Sequence, residues 1–375
     1  MPIQSFYLRN LLSFKEAQID FGGLTVLIGA NASGKSNLIS AMGLLRGAAV
    51  DFQTAVEDAG GSSLVRKTSD GPPVASLRCK YATGHFELEY ELSFRFEEET
   101  VVIEEERLCT GDGKNPLERQ KDGAELQSGE TMLAGFRQFT PASQFRRAME
   151  RIRIYRGFDT GPGSRLRIGS EGPTSRGLKE DGSNLASMLD AQKITSRLDP
   201  FDRYVHLLSE RFREIKVVTA NGFHHLTLAE EGLDSDLPAS RLSDGTLRFL
   251  CLLAALFDNH QPQWPVCIEE PEAGLHPDAL RLVAEALLEA SFEKAGHSND
   301  PLRGPDRRPV QPSGNRCRLR PRCGGRRAIP PPQPRIAKRM AGALLSRRAL
   351  AQRRNRRQSL VTDIRIYFTR VQNGF

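Results

Sequence analysis

The sequence predicts an α/β fold in which a mixed central sheet is flanked by helices. Three observations predict it. An apolar segment at residues 24–29 (LTVLIG) runs straight into a Gly-rich loop and then a helical stretch. A second apolar segment, residues 265–268 (PVCI), ends in two carboxylates and a tight turn before another helical stretch. Between them, residues 75–109 alternate apolar and polar side chains with the period of two that marks antiparallel strands with one wet face.

In chain order, "IQSFYLR" and "AQIDF" read as short strands ahead of "LTVLIG", and "GANASGKSNLISAMGLL" reads as loop then helix. The alternating strands follow, separated from later elements by Gly- and Asp-rich loops at 111–130 and 157–183. "GSNLASMLDAQK" and "PFDRYVHLLSERFREI" read as helices, "IKVVTA" and "HHLTLAE" as strands, and "SRLSDGTLRFLCLLAALFD" as a turn entering an apolar helix. After about Ser291 the character changes: Arg, Pro and Gly dominate to residue 335 with little apolar periodicity. No heptad run is present, which argues against a long coiled coil.

A length of 375 residues suits one large or two ordinary domains, and a hydrophobic fraction of 39% fits a soluble globular protein. No apolar run is long enough for a membrane span, and the N-terminal segment lacks the order of a signal peptide. The six cysteines (79, 109, 251, 267, 317, 323) match no zinc spacing, so reduced thiols in the cytoplasm are the expectation. The net charge of +7 is unevenly placed. Residues 294–357 hold 19 Lys and Arg against two Asp, a net +17, and residues 358–375 add +1, which leaves residues 1–293 at −11. The basicity that would suggest nucleic acid thus sits in one tail on an acidic body.

Gly29-Ala30-Asn31-Ala32-Ser33-Gly34-Lys35-Ser36 fits G-x-x-x-x-G-K-[ST] at every fixed position, with the required strand before and helix after. Its glycines let backbone N–H groups turn toward phosphate oxygens, and the helix adds its positive end. Lys35 is expected on the β- and γ-phosphates of ATP and Ser36 on Mg²⁺. Glu269 and Glu270 end a buried strand at the same sheet edge. Glu269 is expected to hold Mg²⁺ and Glu270 to polarise the attacking water. By themselves two acids at a strand end are also what a solvated turn shows; the neighbouring phosphate loop favours the chemical assignment. Leu242 to Thr246 (LSDGT) places a hydroxyl, N–H groups and a helix dipole together. That suits an anion, although an ordinary N-cap has the same composition.

These three elements in this order resemble the ATP-binding-cassette heads of the RecF/SMC type, within the broad group of AAA-type, RecF-like ATPases with short arms. "IQSFYLRNLLSFKEAQIDFGGLTVLIGANASGKSNLISAM", including Asn31 and Asn37, resembles their N-terminal lobe, "RLSDGTLRFLCLLAAL" their signature helix and "CIEEPEAGLHPDAL" their Walker B strand and D-loop. The resemblance covers about residues 1–50 and 238–291; at position 269 the wider superfamily usually has Asp. It implies a P-loop NTPase of the ABC-ATPase head type, organised as a core (1–50 and 210–293), a β-rich and helical insertion (51–209) and an irregular basic tail (294–375). It further implies a homodimer in which Ser243 and Gly245 of one subunit cap the γ-phosphate bound by the other. DNA, in repair or defence, is the ligand class by resemblance. Gln138 and Gln144 lie where a lobe-joining Gln is sought, and a surface amide is the simpler reading of each. His276 is expected to shape the D-loop, while His224 and His225 have no acidic or Cys neighbour in sequence that would make a metal site.

The resemblance also calls for an apolar strand ending in Thr-His-Ser after the D-loop helix, its His touching the γ-phosphate. His297-Ser298 has no strand before it. Residues 296–308 can, however, be encoded so that reading one base later gives Val-Ile-Ala-Thr-Thr-His-Ser-Glu-Ala-Leu-Thr-Asp, the missing strand. A frameshift near residues 293–296 therefore accounts for both the misplaced His and the Arg/Pro/Gly bias. The tail then reads as largely disordered, with a short helix at "PRIAKRMAGALLSRRALAQRR" and a strand at "DIRIYFTRV" added to a sheet edge. The competing reading is a genuine basic arm that binds nucleic-acid phosphates. The functional expectation is Mg-dependent ATP hydrolysis between two heads, with a nucleotide-binding switch or a hydrolysis-defective product as alternatives.

Overall fold

The computed structural model describes residues 3–30, 33–66, 73–83, 85–111, 117–120, 129–137, 140–171, 177–194, 199–258, 265–296 and 362–368. His297, Gln138, Asn31, Ala32 and the helix expected near 335–354 lie outside them. Among the described residues no helix is long and apolar enough to cross a membrane.

The chain begins with a hairpin, β1 (Ile3–Leu11) and β2 (Phe14–Asp20), then β3 (Leu24–Ala30), α1 (Lys35–Ala48) and α2 (Phe52–Ala59). A meander follows: β4 (Ala75–Ala82), β5 (Glu87–Glu97), β6 (Thr100–Thr110) and β7 (Leu117–Gln120). Next come α3 (Met132–Gly135), α4 (Pro141–Glu150), β8 (Arg153–Tyr155), α5 (Arg165–Ile168), β9 (Ser170–Glu171), α6 (Leu185–Ile194) and α7 (Asp199–Leu208). The remainder is β10 (Phe212–Ala220), β11 (Phe223–Glu230), β12 (Leu237–Pro238), α8 (Asp244–Leu256), β13 (Val266–Ile268), α9 (Pro277–Gly296) and β14 (Thr362–Phe368).

Three sheets form. The first is antiparallel in the order β2-β1-β4-β5-β6-β7, as the alternation over 75–109 predicts. The second joins β10, β11 and β12, with β9 on β11. Its β10–β11 hairpin turns on Asn221-Gly222, both at positive φ, the chemistry that a two-residue turn of this hand requires. The third has the order β3-β14-β13-β8. There β14 is antiparallel to both β3 and β13, and β13 is parallel to β8, so β3, β13 and β8 all point the same way.

This third sheet separates two cores. Leu24 and Val26 of β3, Val266 and Ile268 of β13 and Tyr155 of β8 join a core with α6, α7, α8 and α9. Leu27, Cys267 and Ile154 face the opposite way, into a core with α1, α2, α4 and the first sheet. Alternation along each short strand thus buries both faces, as expected of a central sheet. Residues 51–209 do not sit apart, because they supply β8 to the central sheet and α6 and α7 to the core below it.

Two elements differ from the sequence reading. The helix expected to reach Ile215 stops at Leu208; a turn donating Phe212 N–H to the Ser209 carbonyl follows, and residues 212–220 pair with β11 along almost their whole length. A full ladder outweighs the local apolar periodicity. The strand expected at a sheet edge occupies an interior slot: Ile366 is opposed by Val26 on one side and Ile268 on the other. An interior strand satisfies its N–H and C=O groups on both sides, which an edge cannot.

Candidate functional site

Since β3 and β13 are parallel with one strand between them, their C-terminal ends emerge at the same edge about 10 Å apart. The backbone of Gly29 and Ala30 pairs with Asp363 and Thr362 up to that edge. Gly34 then takes φ +92°, and a Cβ there would come within 2.7 Å of Ser13 Oγ, so the loop accepts only glycine at this point. Lys35 is 6% exposed, and its Nζ donates to Ser33 Oγ at 3.1 Å. Ser36 and Asn37 follow, half-buried, in the first turn of α1.

The start of α1 differs chemically from the starts of α2, α3, α4 and α8. Asp51, Thr131, Thr140 and Ser243 cap α2, α3, α4 and α8 with side-chain oxygens. Gly34 offers no side-chain cap, and the first turn of α1 has no acid. A helix end of this kind, with a buried lysine in its first turn, carries positive potential and suits a phosphate.

Glu269 and Glu270 leave the end of β13. The Glu269 N–H donates to the Tyr155 carbonyl at 2.8 Å, extending the parallel ladder with β8 by one residue. Glu270 sits at φ +48°, an uncommon conformation for a residue with a Cβ, and its carbonyl accepts from Ala273 N–H at 2.9 Å to close the turn. Both acids line a cavity of about 240 Å³ with Tyr155, Arg156, Phe158 and Arg248. The Tyr155 phenol is pushed up by burial and donates to the Leu178 carbonyl at 3.2 Å, so it stays protonated. A larger cavity of about 600 Å³ runs along α1 between Ser40, Arg46 and Glu180 and includes neither acid. Arg156 borders both cavities and donates to Ser40 Oγ at 3.1 Å.

Ser243 caps α8, accepting from Thr246 N–H at 3.0 Å, and is exposed. A Cβ on Gly245 would stand 3.1 Å from the Gly274 carbonyl, and one on Gly274 would collide with the Arg248 guanidinium. Arg248 Nη1 donates to the Ala273 carbonyl at 3.1 Å. The start of α8 and the turn after the acidic pair are therefore packed directly on each other.

Of the residues expected at the site, Gly29, Ala30, Ser33, Gly34, Lys35, Ser36 and Asn37 stand at the β3 end and Glu269 and Glu270 at the β13 end of one edge. Lys35 and Ser36 are not among the residues lining the cavity of the two acids. Ser243 and Gly245 lie beyond the turn, with Ser243 facing outward. His276 is exposed and bonds locally, its Nδ1 accepting from Asp278 N–H at 3.3 Å. His224 is buried and does have an acidic partner that sequence distance hid: its Nδ1 lies 3.3 Å from Asp190 and 3.2 Å from Thr219 Oγ1. Gln144 is exposed on α4. Sequence reasoning missed Tyr155, Arg156 and Arg248, whose only signal is the short triplet "RIY" with its Ile and Tyr and a basic residue one turn into α8.

A family model described as "AAA domain, putative AbiEii toxin, Type IV TA system" matches residues 24–299. The chain belongs to this family. The matched span contains the β3 loop, the Ser243 turn and the acidic pair. Among solved structures, the chain is similar to "Structure of the recombination mediator protein RecF-ATP in RecFOR pathway", at 13% identity with a TM-score of 0.32, over 69% of this chain and 80% of that one. No curated protein matches. Membership makes the chain an AAA-type P-loop domain on an α/β fold.

Proposed function

We propose that the chain binds ATP with Mg²⁺ and hydrolyses it between two copies arranged head to head. The observation that carries the reading is the common edge of β3 and β13, where one strand leads into an uncapped helix start with a buried lysine and the other, one strand away, ends in a pair of carboxylates. The Ser36 hydroxyl and the Glu269 carboxylate are hard oxygen donors of the kind Mg²⁺ prefers. The bound ion would neutralise charge on the terminal phosphates.

The chain's own groups divide the work. Backbone N–H groups of residues 29–36 and the Lys35 ammonium hold the phosphates. Glu270, held at positive φ by its turn, accepts a proton from the attacking water. Ser243, exposed at the start of α8, addresses the nucleotide of a second copy. The core (1–50, 210–293), insertion (51–209) and tail (294–375) are the working division of the chain, acting in the cytoplasm, with the insertion lending β8 and the tail lending β14 to the central sheet. DNA is the macromolecular ligand suggested by the resemblance of the three motifs to RecF-type heads, in repair or in defence; the acidic body adds nothing to that suggestion.

The test compares wild type with Lys35→Ala and Glu270→Gln. Lys35→Ala is expected to lose ATP binding. Glu270→Gln should keep binding, lose turnover by about 100-fold or more and accumulate ATP-bound dimers in light scattering. Turnover that survives Glu270→Gln removes that residue from the mechanism.

A specific observation favours a second reading, a nucleotide switch or hydrolysis-defective product. The family match ends at residue 299, and the slot between β3 and β13 is filled antiparallel by residues 362–368. A chain shifted in frame near residues 293–296 would fill the slot with whatever strand its tail encodes. ATP binding without turnover in the wild type, together with codons across 285–330 that permit the alternative frame, supports this reading. Codons that forbid it leave the basic tail as an arm for nucleic acid.

A further inference from the structure

The loop that presents Ser243 is held by a residue far from it in sequence. Arg167 belongs to the single-turn helix α5, yet its guanidinium reaches over the whole segment 239–244. Nη1 donates to the carbonyls of Ala239 (3.2 Å), Ser240 (3.1 Å) and Leu242 (2.8 Å). Nη2 donates to Asp244 Oδ1 at 2.5 Å, and Nε to the Thr160 carbonyl at 2.7 Å. The side chain is only 11% exposed. It therefore bonds the residues on both sides of Ser243, Leu242 and Asp244, and leaves the Ser243 hydroxyl at the surface.

The geometry points to Arg167 as the positioning residue of the Ser243 loop, setting that loop's backbone in advance so that two nucleotide-loaded copies can pair. This rests on the proposed role of Ser243 toward a second copy. The chemistry suits the task. A planar guanidinium has five N–H donors in a fixed fork and can serve several carbonyls at once, whereas a lysine ammonium has three donors on one point. A loop ordered before contact loses less freedom on association. The hydrogen bonds of the Arg167 side chain go to Thr160, Ala239, Ser240, Leu242 and Asp244 and to none of residues 29–37, 269 or 270, so its loss should spare nucleotide binding by a single chain.

The experiment uses the full chain carrying Glu270→Gln to hold ATP, with Arg167→Ala, Arg167→Lys or Ser243→Ala added. Three quantities are read: amide exchange at Leu242, Thr246 and Leu247, which the loop's own hydrogen bonds protect; affinity for a fluorescent ATP analogue at low protein concentration; and ATP-driven association by light scattering. Arg167→Ala is expected to raise exchange at those amides about tenfold or more, weaken association about tenfold or more and leave affinity within about twofold. Arg167→Lys should fall between the alanine variant and the parent, which a role in charge alone would not produce. Unchanged exchange in Arg167→Ala overturns the inference, and so does unchanged association where Ser243→Ala abolishes it. Association unaffected by Ser243→Ala overturns the underlying role of Ser243 and, with it, this inference. If Arg167→Ala does not fold, Arg167→Lys and Asp244→Asn are judged by the same readouts.

Discussion

Replacing Glu106 by Gln tests how the phosphate-loop helix is anchored at its far end. Glu106 on β6 is fully buried. Its Oε1 accepts from the Tyr90 hydroxyl and from Leu133 N–H, both at 2.9 Å, and its Oε2 accepts from Met132 N–H at 2.5 Å. The carboxylate thus receives the start of α3, while Thr131, the cap of that helix, donates its hydroxyl to the Ala48 carbonyl at the end of α1 at 2.6 Å. Gln has the same shape but only one accepting oxygen. If that oxygen keeps Tyr90 and Leu133, the amide NH₂ faces Met132 N–H, donor against donor. An unsatisfied buried donor costs about 1–3 kcal/mol, and the charge-assisted part of the remaining bonds is lost as well, so the change should cost about 2–4 kcal/mol. For a chain of 375 residues the unfolding entropy is about 0.8 kcal/mol/K, so the melting temperature falls by roughly 3–5 °C. Thermal melts followed by circular dichroism at pH 7 measure it. A Gln variant within about 0.5 kcal/mol of wild type would refute the claim that a two-oxygen acceptor holds α3 in place.

Three further outcomes are expected. Gly34→Ala forces a Cβ onto a backbone at φ +92° and within 2.7 Å of Ser13 Oγ; ATP affinity should fall by about tenfold or more in equilibrium binding, and an unchanged affinity would mean the loop's shape is not what binds. Among the described cysteines, burial pushes the thiols of Cys79 and Cys251 up and that of Cys267 up to about 12, while Cys109 is half-buried. Mass spectrometry after brief iodoacetamide treatment of the folded chain at pH 8 should find Cys109 modified ahead of those three. Asp51 is held below the usual carboxylate range by the Thr54 N–H and then by the Thr54 hydroxyl. A lowered folded value means that its contribution is complete above the unfolded value near 3.9 and disappears as pH falls through the folded one. Urea melts should therefore show Asp51→Ala costing about 1 kcal/mol at pH 7 and progressively less as pH falls below the usual carboxylate range.

The parts of the site that could be read in the sequence are those written contiguously. Residues 29–36, 242–246 and 269–270 each declare their chemistry within a few positions, and each stands next to the strand or helix that the pattern requires. What stayed hidden depends on folding. Strand β8 has three residues and no period to detect, yet it places Tyr155 and Arg156 beside the acids. Arg167 becomes important only when α5 packs against the loop before α8, and the Asp190 partner of His224 arrives from another element. The stretch 200–215 has helical spacing throughout, but β11 claims its last residues by pairing with them. The tail strand could be named, but its slot could not, because pairing partners are decided in three dimensions.

The position of β14 bears on how the protein comes to be made. The two strands that carry the opposite halves of the site share no ladder of their own; each is stitched to a segment that follows both of them in the chain. Until Phe368 has left the ribosome, β3 and β13 border an open seam one strand wide, with unspent donors and acceptors along both lips. Premature termination or proteolytic clipping ahead of Thr362 would leave that seam open to any extended peptide, including the same segment of a neighbouring molecule.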